Sequence, residues 1–235
     1  MELSVLKENL ERVKENIRLA CERVGRDPNE VTLIAVSKTK PLSDIEKILE
    51  ATDTIDFGEN KVQELVDKYE HISRPVNWHQ IGHLQTNKVK YIVDKAKLIH
   101  SVDSLNLAKC IEKEASKKDM IVDILIEVNV AQEESKFGLS CDEVLPLIME
   151  VKDMPHIRIK GLMTIAPFVP NPEDNRIYFR TLKDLLLDIN SKNIDNVYMT
   201  ILSMGMTNDY EVAVEEGATL VRVGTAIFGE RNYNI

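Results

Sequence analysis

Leu3, Leu6, Leu10, Val13, Ile17, Ala20 and Val24 recur at alternating steps of three and four residues. That spacing predicts one long amphipathic helix, stopped near Gly25 and Pro28. A coiled coil shares the spacing, but a single helix of this length favours packing on its own domain.

Apolar runs and helical patterns then alternate. The runs 31–36, 54–57, 76–81, 98–101, 121–130, 157–163, 197–202 and 219–223 read as strands, several of them rich in Val and Ile. Helical patterns follow near 43–51, 60–69, 86–93, 104–116, 140–151, 174–191 and 209–216, and a short helical tail closes the chain. Ser104 and Ser140 stand at N-cap positions. Eight strands, each followed by a helix, imply parallel pairing with right-handed crossovers. In about 200 residues this predicts an α/β fold: a single (β/α)8 barrel of the TIM type with an extra N-terminal helix. An open doubly wound sheet is the alternative. The absence of a Pro/Gly/Ser-rich linker or a change of composition makes residues 1–235 one expected domain.

Composition narrows the function classes. Lys plus Arg is 30 and Asp plus Glu is 39, a net charge of −9. A general nucleic-acid binder is not expected at that balance. No apolar run approaches the length of a membrane span, and the charged N-terminus is no secretory signal. Cys21, Cys110 and Cys141 lie far apart without a CxxC, which fits a reduced cytoplasmic chain.

In such a barrel, chemistry gathers where strands end. Lys38 follows the first apolar run by two residues. A rim lysine is partly desolvated, which lowers its pKa and exposes a nucleophilic amine suited to a Schiff base. Lys40, beside Pro41, competes for the role, because alternation puts both on one face. Ser203 and Gly205 follow the seventh strand, and Gly224 and Thr225 follow the eighth. Loops seven and eight are where barrels hold phosphate, and glycine lets the backbone approach the oxygens. An amine and a phosphate cup facing each other across a barrel mouth suit pyridoxal 5′-phosphate. Arg222, if it points inward, meets the middle of that cofactor and holds the ring nitrogen unprotonated, since a guanidinium only donates. His79 and His83 stand four apart, but Gln80 and a strand context exclude a zinc-protease helix, and no metal is expected. Tight turns, a solvated lysine and a rim salt bridge are the plainer readings of the same residues.

Several motifs together resemble the pyridoxal phosphate homeostasis protein family. They are Ala35-Val-Ser-Lys38-Thr-Lys40-Pro41, Phe57-Gly-Glu-Asn60 with Val62-Gln63-Glu64, and Trp78-His79 with Ile81-Gly82 and Leu84-Gln-Thr-Asn-Lys88. Lys136-Phe-Gly138, Gly161-Leu-Met-Thr164, Leu202-Ser-Met-Gly-Met206 with Asp209-Tyr210, and Val221-Arg-Val-Gly-Thr-Ala-Ile-Phe-Gly229 complete the set. The resemblance runs in order from about residue 5 to 231. It implies a fold-type III barrel like the N-terminal domain of alanine racemase. It also implies pyridoxal phosphate on Lys38, Asn60 in the site, and Ser203, Gly205, Gly224 and Thr225 at the phosphate, with Arg222 at the ring nitrogen. Two departures stand out: Gln80 replaces an apolar residue, and Thr207 replaces a serine while keeping the hydroxyl.

The function implied is a carrier or regulator in vitamin B6 and amino-acid homeostasis, with apo forms of pyridoxal-phosphate enzymes as partners. An amino-acid racemase is the alternative. Its second base normally comes from a further β-domain, and the sequence ends at Ile235, where that domain would start. A cofactor-free Schiff-base aldolase is a third option. Without the second domain, a monomer is expected.

Overall fold

The structure, a computed structural model, describes residues 1–133 and 135–230. The last five residues of the expected single domain lie outside the described residues. Strands β1 (Thr32–Val36), β2 (Asp56–Glu59), β3 (Asn77–Gln80), β4 (Ala96–Val102), β5 (Val122–Glu127), β6 (Ile157–Met163), β7 (Ile201–Met206) and β8 (Leu220–Val223) form a closed barrel in chain order. Every pairing is parallel, and β8 returns to β1 with Ala35 opposite Val223. The open-sheet alternative is thereby removed.

Helices α1 (Leu3–Arg23), α2 (Leu42–Ala51), α3 (Val62–His71), α4 (Val89–Ile92), α5 (Leu105–Ser116), α6 (Cys141–Val151), α7 (Arg176–Ser191), α8 (Tyr210–Glu215) and α9 (Thr225–Phe228) accompany the strands. Ser104 caps α5 by accepting from Leu107 N–H, and Ser140 opens α6 with a reciprocal bond to Glu143. The middle of the predicted apolar stripe of α1, Leu6 to Ala20, is buried against its own domain, on α2, α8 and α9, while Leu3 and Val24 at its ends are exposed. Asn9 donates to the Ile227 carbonyl at 3.0 Å, and Asn16 donates to the Tyr210 hydroxyl at 2.9 Å. Among the described residues, no helix is long and apolar enough to cross a membrane.

Two apolar regions result. The larger lies between strands and helices, with Phe57, Trp78, Ile99, Ile124 and Val221 turned outward to it. Inside the barrel, Ile34, Leu98, Leu125, Met163 and Leu220 form a small cluster of their own. Strand period two then sets Glu127 and Arg222 on the inner face, two residues beyond Leu125 and Leu220.

One strand is displaced from its expected place. The run 197–202 reads as β7, but pairing begins at Ile201, opposite Gly161. A Cβ on Gly161 would sit 1.8 Å from the Ile201 carbonyl oxygen, so the two backbones touch. Val197 and Met199 before it are buried in an extension outside the strand, where Asn190 bonds both polar atoms of the Met199 backbone, while Tyr198 between them is exposed.

Candidate functional site

The turn after β1 carries both candidate lysines. The Lys40 N–H bonds the Ser37 carbonyl at 3.0 Å, so strand alternation stops at Ser37. Thr39 occupies the left-handed region at φ 64°, rare for a branched residue. What holds it there lies below, between β2 and α3. The Lys68 ammonium bonds the Ser37 carbonyl and Glu59 Oε1, each at 2.7 Å, and Glu64 Oε1 at 2.8 Å. Ser37 Oγ donates to the same Glu59 oxygen at 2.6 Å, and Glu64 accepts the Thr39 N–H. Burial pushes the Glu59 carboxyl up to about 7, against the pull of Lys68.

The two lysines part company at this turn. Lys40 spends its ammonium on three carbonyls, those of Phe228, Gly229 and Glu230, at 2.9, 3.1 and 3.0 Å. It clamps the end of α9 to the turn. Lys38 is half-buried at the strand end.

Loops seven and eight differ from expectation in detail. Ser203 and Gly205 belong to β7 itself. Ser203 is fully buried; its hydroxyl accepts from Arg222 Nη1 at 2.6 Å and bonds His100 Nδ1 at 2.9 Å. Gly205, at φ 89°, serves packing: a Cβ there would lie 2.5 Å from the Ala213 Cβ and 2.9 Å from the Tyr210 Cα on α8. The hydroxyl that does meet the last loop is Thr207, whose Oγ1 accepts the Gly224 N–H at 3.3 Å. Gly224 lies close against β1: an added Cβ would come within 3.3 Å of the Val36 carbonyl oxygen. Thr225 opens α9 and is exposed. Because β8 pairs with β1, this cup and the Lys38 turn sit side by side on one seam, not across the mouth as expected.

Arg222 does point inward. It is buried, and Nη2 donates to the Thr164 carbonyl at 2.8 Å. Burial pulls its pKa down to about 10, against Asp209 and Glu127. Asp209 is itself fixed by Met206 N–H and Asn175 at 2.7 Å each. Glu127, at the end of β5, is pushed up to about 7 by burial, with the Asp103 charge adding and Arg222 opposing. Asn60 lies at the same end of the barrel, after β2; its carbonyl accepts from Gln80 Nε2 at 2.9 Å. The same Gln80 amide donates to the Gly82 carbonyl at 3.0 Å, so the polar departure staples two βα-loops. His79 and His83 do not converge: His79 bonds His100 and Asp56 inside the barrel, while His83 stacks on Phe137 at 3.9 Å. No group of three or more candidate metal ligands occurs among the described residues.

His100, Glu127, Lys68 and Asp56 were not singled out from the sequence. For His100 a signal existed. Leu98 and His100 are two apart in one strand, so an inward Leu98 carries His100 inward too. Lys68 has only helical spacing from Glu64, which reads as a surface pair.

The model of the alanine racemase N-terminal domain family matches residues 9–232. The pyridoxal phosphate homeostasis protein of Aquifex aeolicus is 47% identical over 227 residues, covering 96% of this chain and 98% of that one. The chain belongs to the pyridoxal phosphate homeostasis protein family. Its Escherichia coli member is 36% identical over 231 residues, covering 96% and 97% of the two chains. Among solved structures, PipY of Synechococcus elongatus with pyridoxal phosphate bound superimposes with a TM-score of 0.80 at 32% identity, covering 91% of this chain and 99% of that one. An alanine racemase of Clostridium difficile shares the fold, at 13% identity and a TM-score of 0.73, with 98% of this chain matching 61% of the racemase.

Proposed function

We propose that this chain binds pyridoxal 5′-phosphate at the C-terminal mouth of its barrel and acts in the handling of that cofactor, as carrier or regulator. One observation carries the reading. The Lys38 turn, the Thr207–Gly224–Thr225 cup and the inward Arg222 lie together on the β1–β8 seam. The residues fit the group. Gly224 lets the last loop lie close on β1, where a Cβ would crowd the Val36 carbonyl, and the hydroxyls of Thr207 and Thr225 beside it suit a phosphate. The family name of the relatives and the bound cofactor in PipY support the same reading.

The residues then take roles. Lys38 would attach covalently to the cofactor aldehyde, with loss of water. Thr207, Gly224 and Thr225 would hold the phosphate, with Thr207 taking the role first given to Ser203. Gly205 shapes the end of β7 beside them. Asn60 would flank the ring from β2. Arg222 would donate to the ring nitrogen and keep it unprotonated. The cofactor itself supplies the electrophilic aldehyde and the conjugated ring.

The test is the absorbance spectrum of the purified protein after loading. A visible band, lost on borohydride reduction with the label mapped to Lys38, is the expected result. Lys38→Ala removes the band and Lys40→Ala keeps most of it. Label on Lys40 overturns the assignment. Incubation with L-amino acids in deuterated water separates carrier from racemase: spectral change without Cα exchange fits the proposal, and multiple-turnover racemisation refutes it.

A further inference from the structure

A line of polar side chains runs through the barrel interior beneath Arg222. Arg222 Nη1 meets Ser203 Oγ at 2.6 Å, and Ser203 Oγ meets His100 Nδ1 at 2.9 Å. His100 Nε2 meets His79 Nδ1 at 2.9 Å, and His79 Nε2 meets Asp56 Oδ1 at 2.9 Å. Asp56 begins β2 and so stands at the opposite end of the barrel from the cofactor mouth. There it is flanked by Lys97 at 3.4 Å. Both histidines, Ser203 and Arg222 are buried.

The two ends fix the direction of every bond between them. A guanidinium only donates, and an ionised carboxylate only accepts. The Asp56 carboxyl is held below its usual range by His79 and Lys97 despite burial. Ser203 therefore accepts from Arg222 and passes its own hydrogen to His100 Nδ1. His100 carries its hydrogen on Nε2 and gives it to His79 Nδ1. His79 carries its hydrogen on Nε2 and gives it to Asp56. Each donor then has an acceptor, and both rings are neutral, as burial demands: it lowers both pKa values, that of His100 well below its usual range. The opposite direction fails on two counts. It sets a bare His79 Nε2 against the carboxylate or else charges that ring in the core, and it leaves the Ser203 hydrogen without an acceptor.

We propose that Asp56, His79, His100 and Ser203 are positioning residues for the cofactor site: a one-way hydrogen-bond chain by which the carboxylate at the base of the barrel orients Arg222 at its mouth. None of them would touch the cofactor except through Arg222. The inference rests on the functional reading above, because it matters only if Arg222 meets the ring. Asp56→Asn is the informative change, being nearly isosteric and far from the mouth. An amide offers a donor as well as an acceptor, so it no longer dictates which His79 nitrogen bears hydrogen. In the reversed arrangement Ser203 receives hydrogens from both His100 and Arg222 and loses its own acceptor, so its bond to Arg222 weakens and the Thr164 carbonyl is left as the firm anchor of the guanidinium.

The experiment has two readouts. Long-range proton–nitrogen NMR on the cofactor-free protein near neutral pH assigns the ring tautomers. Wild type is expected to show both histidines bearing hydrogen on Nε2 only, and Asp56→Asn to show mixed tautomers at His79 and His100. Equilibrium binding of pyridoxal 5′-phosphate then reads the mouth. Asp56→Asn and Ser203→Ala are each expected to bind about tenfold more weakly, with thermal unfolding showing both variants folded. A charged ring or an Nδ1-bearing tautomer in wild type overturns the chain. Asp56→Asn with shifted tautomers but unchanged binding overturns its role at the site. Failure of the wild type to bind the cofactor at all, with the tautomers as expected, overturns the functional reading instead and takes this inference with it.

Discussion

Lys68→Met tests the cluster that shapes the lysine turn. Methionine keeps the length of the stem and removes three bonds, to the Ser37 carbonyl, Glu59 and Glu64. Breaking a buried ion pair from one side costs about 3–5 kcal/mol when the stranded partner stays charged. Glu59 has an escape, because burial already raises its pKa to about 7, and losing Lys68 raises it further. The folded state therefore holds this proton to higher pH than the unfolded chain, whose carboxyl releases near 4.5. Where the folded state binds more protons, stability falls as pH rises. At about pH 5.5 Glu59 is largely neutral in both proteins, so the variant loses only hydrogen bonds, about 1–2 kcal/mol. At about pH 8 wild type has ionised Glu59 while the variant must hold the proton against the solution, which over the one pH unit above 7 adds about 1.4 kcal/mol and brings the loss to about 2–3.5 kcal/mol. In a chain of this size each kcal/mol moves Tm by about 2–4 °C. The expected falls are then about 2–8 °C at the lower pH and about 4–14 °C at the higher. Urea denaturation at both pH values checks the free energies directly, and adding Glu59→Gln should remove the extra loss seen at high pH. An equal loss at both pH values, or no recovery in the double variant, would refute a buried, proton-coupled Glu59–Lys68 pair.

Two further changes probe the seam and its support. Thr207→Val removes the hydroxyl that meets Gly224 and should weaken pyridoxal phosphate binding about tenfold in a fluorescence titration, with little change in unfolding. Gly205→Ala forces a Cβ to within 2.5 Å of Ala213 at a φ of 89°; it should cost about 3 kcal/mol or more in urea denaturation, and a near-neutral value would contradict the packing of β7 on α8.

The barrel was legible because its two periods are. Leu6, Leu10, Val13 and Ile17 mark a helix that buries one side, and Val122 to Glu127 mark a strand buried on both. β7 was misplaced because Val197 and Met199 are buried without pairing, and apolar character alone cannot separate burial from sheet pairing. That shift moved Ser203 from a loop into the barrel wall and changed its role. Lys38 and Arg222 could be proposed from their distance to apolar runs. The place of Lys40 could not be read in the same way, because the three backbone carbonyls it meets come from the other end of the chain. Lys68 and Asp56 were beyond reach for a related reason: their partners come from other elements, and no local pattern records a tertiary contact.

The seam between β1 and β8 also sets a timetable for the nascent chain. Thr32 pairs with Leu220, a separation of 220 − 32 = 188 residues. At ribosomal speeds of about 5–20 residues per second, β1 waits roughly 10–40 s for its second neighbour to be made. During that interval one edge of an apolar strand offers unpaired N–H and C=O groups to any passing chain. Lys40 waits as well, since the carbonyls it clamps, at Phe228 to Glu230, are translated later still. Slow synthesis, a truncated message or a stalled ribosome should therefore yield an aggregation-prone open sheet rather than a smaller version of the folded protein.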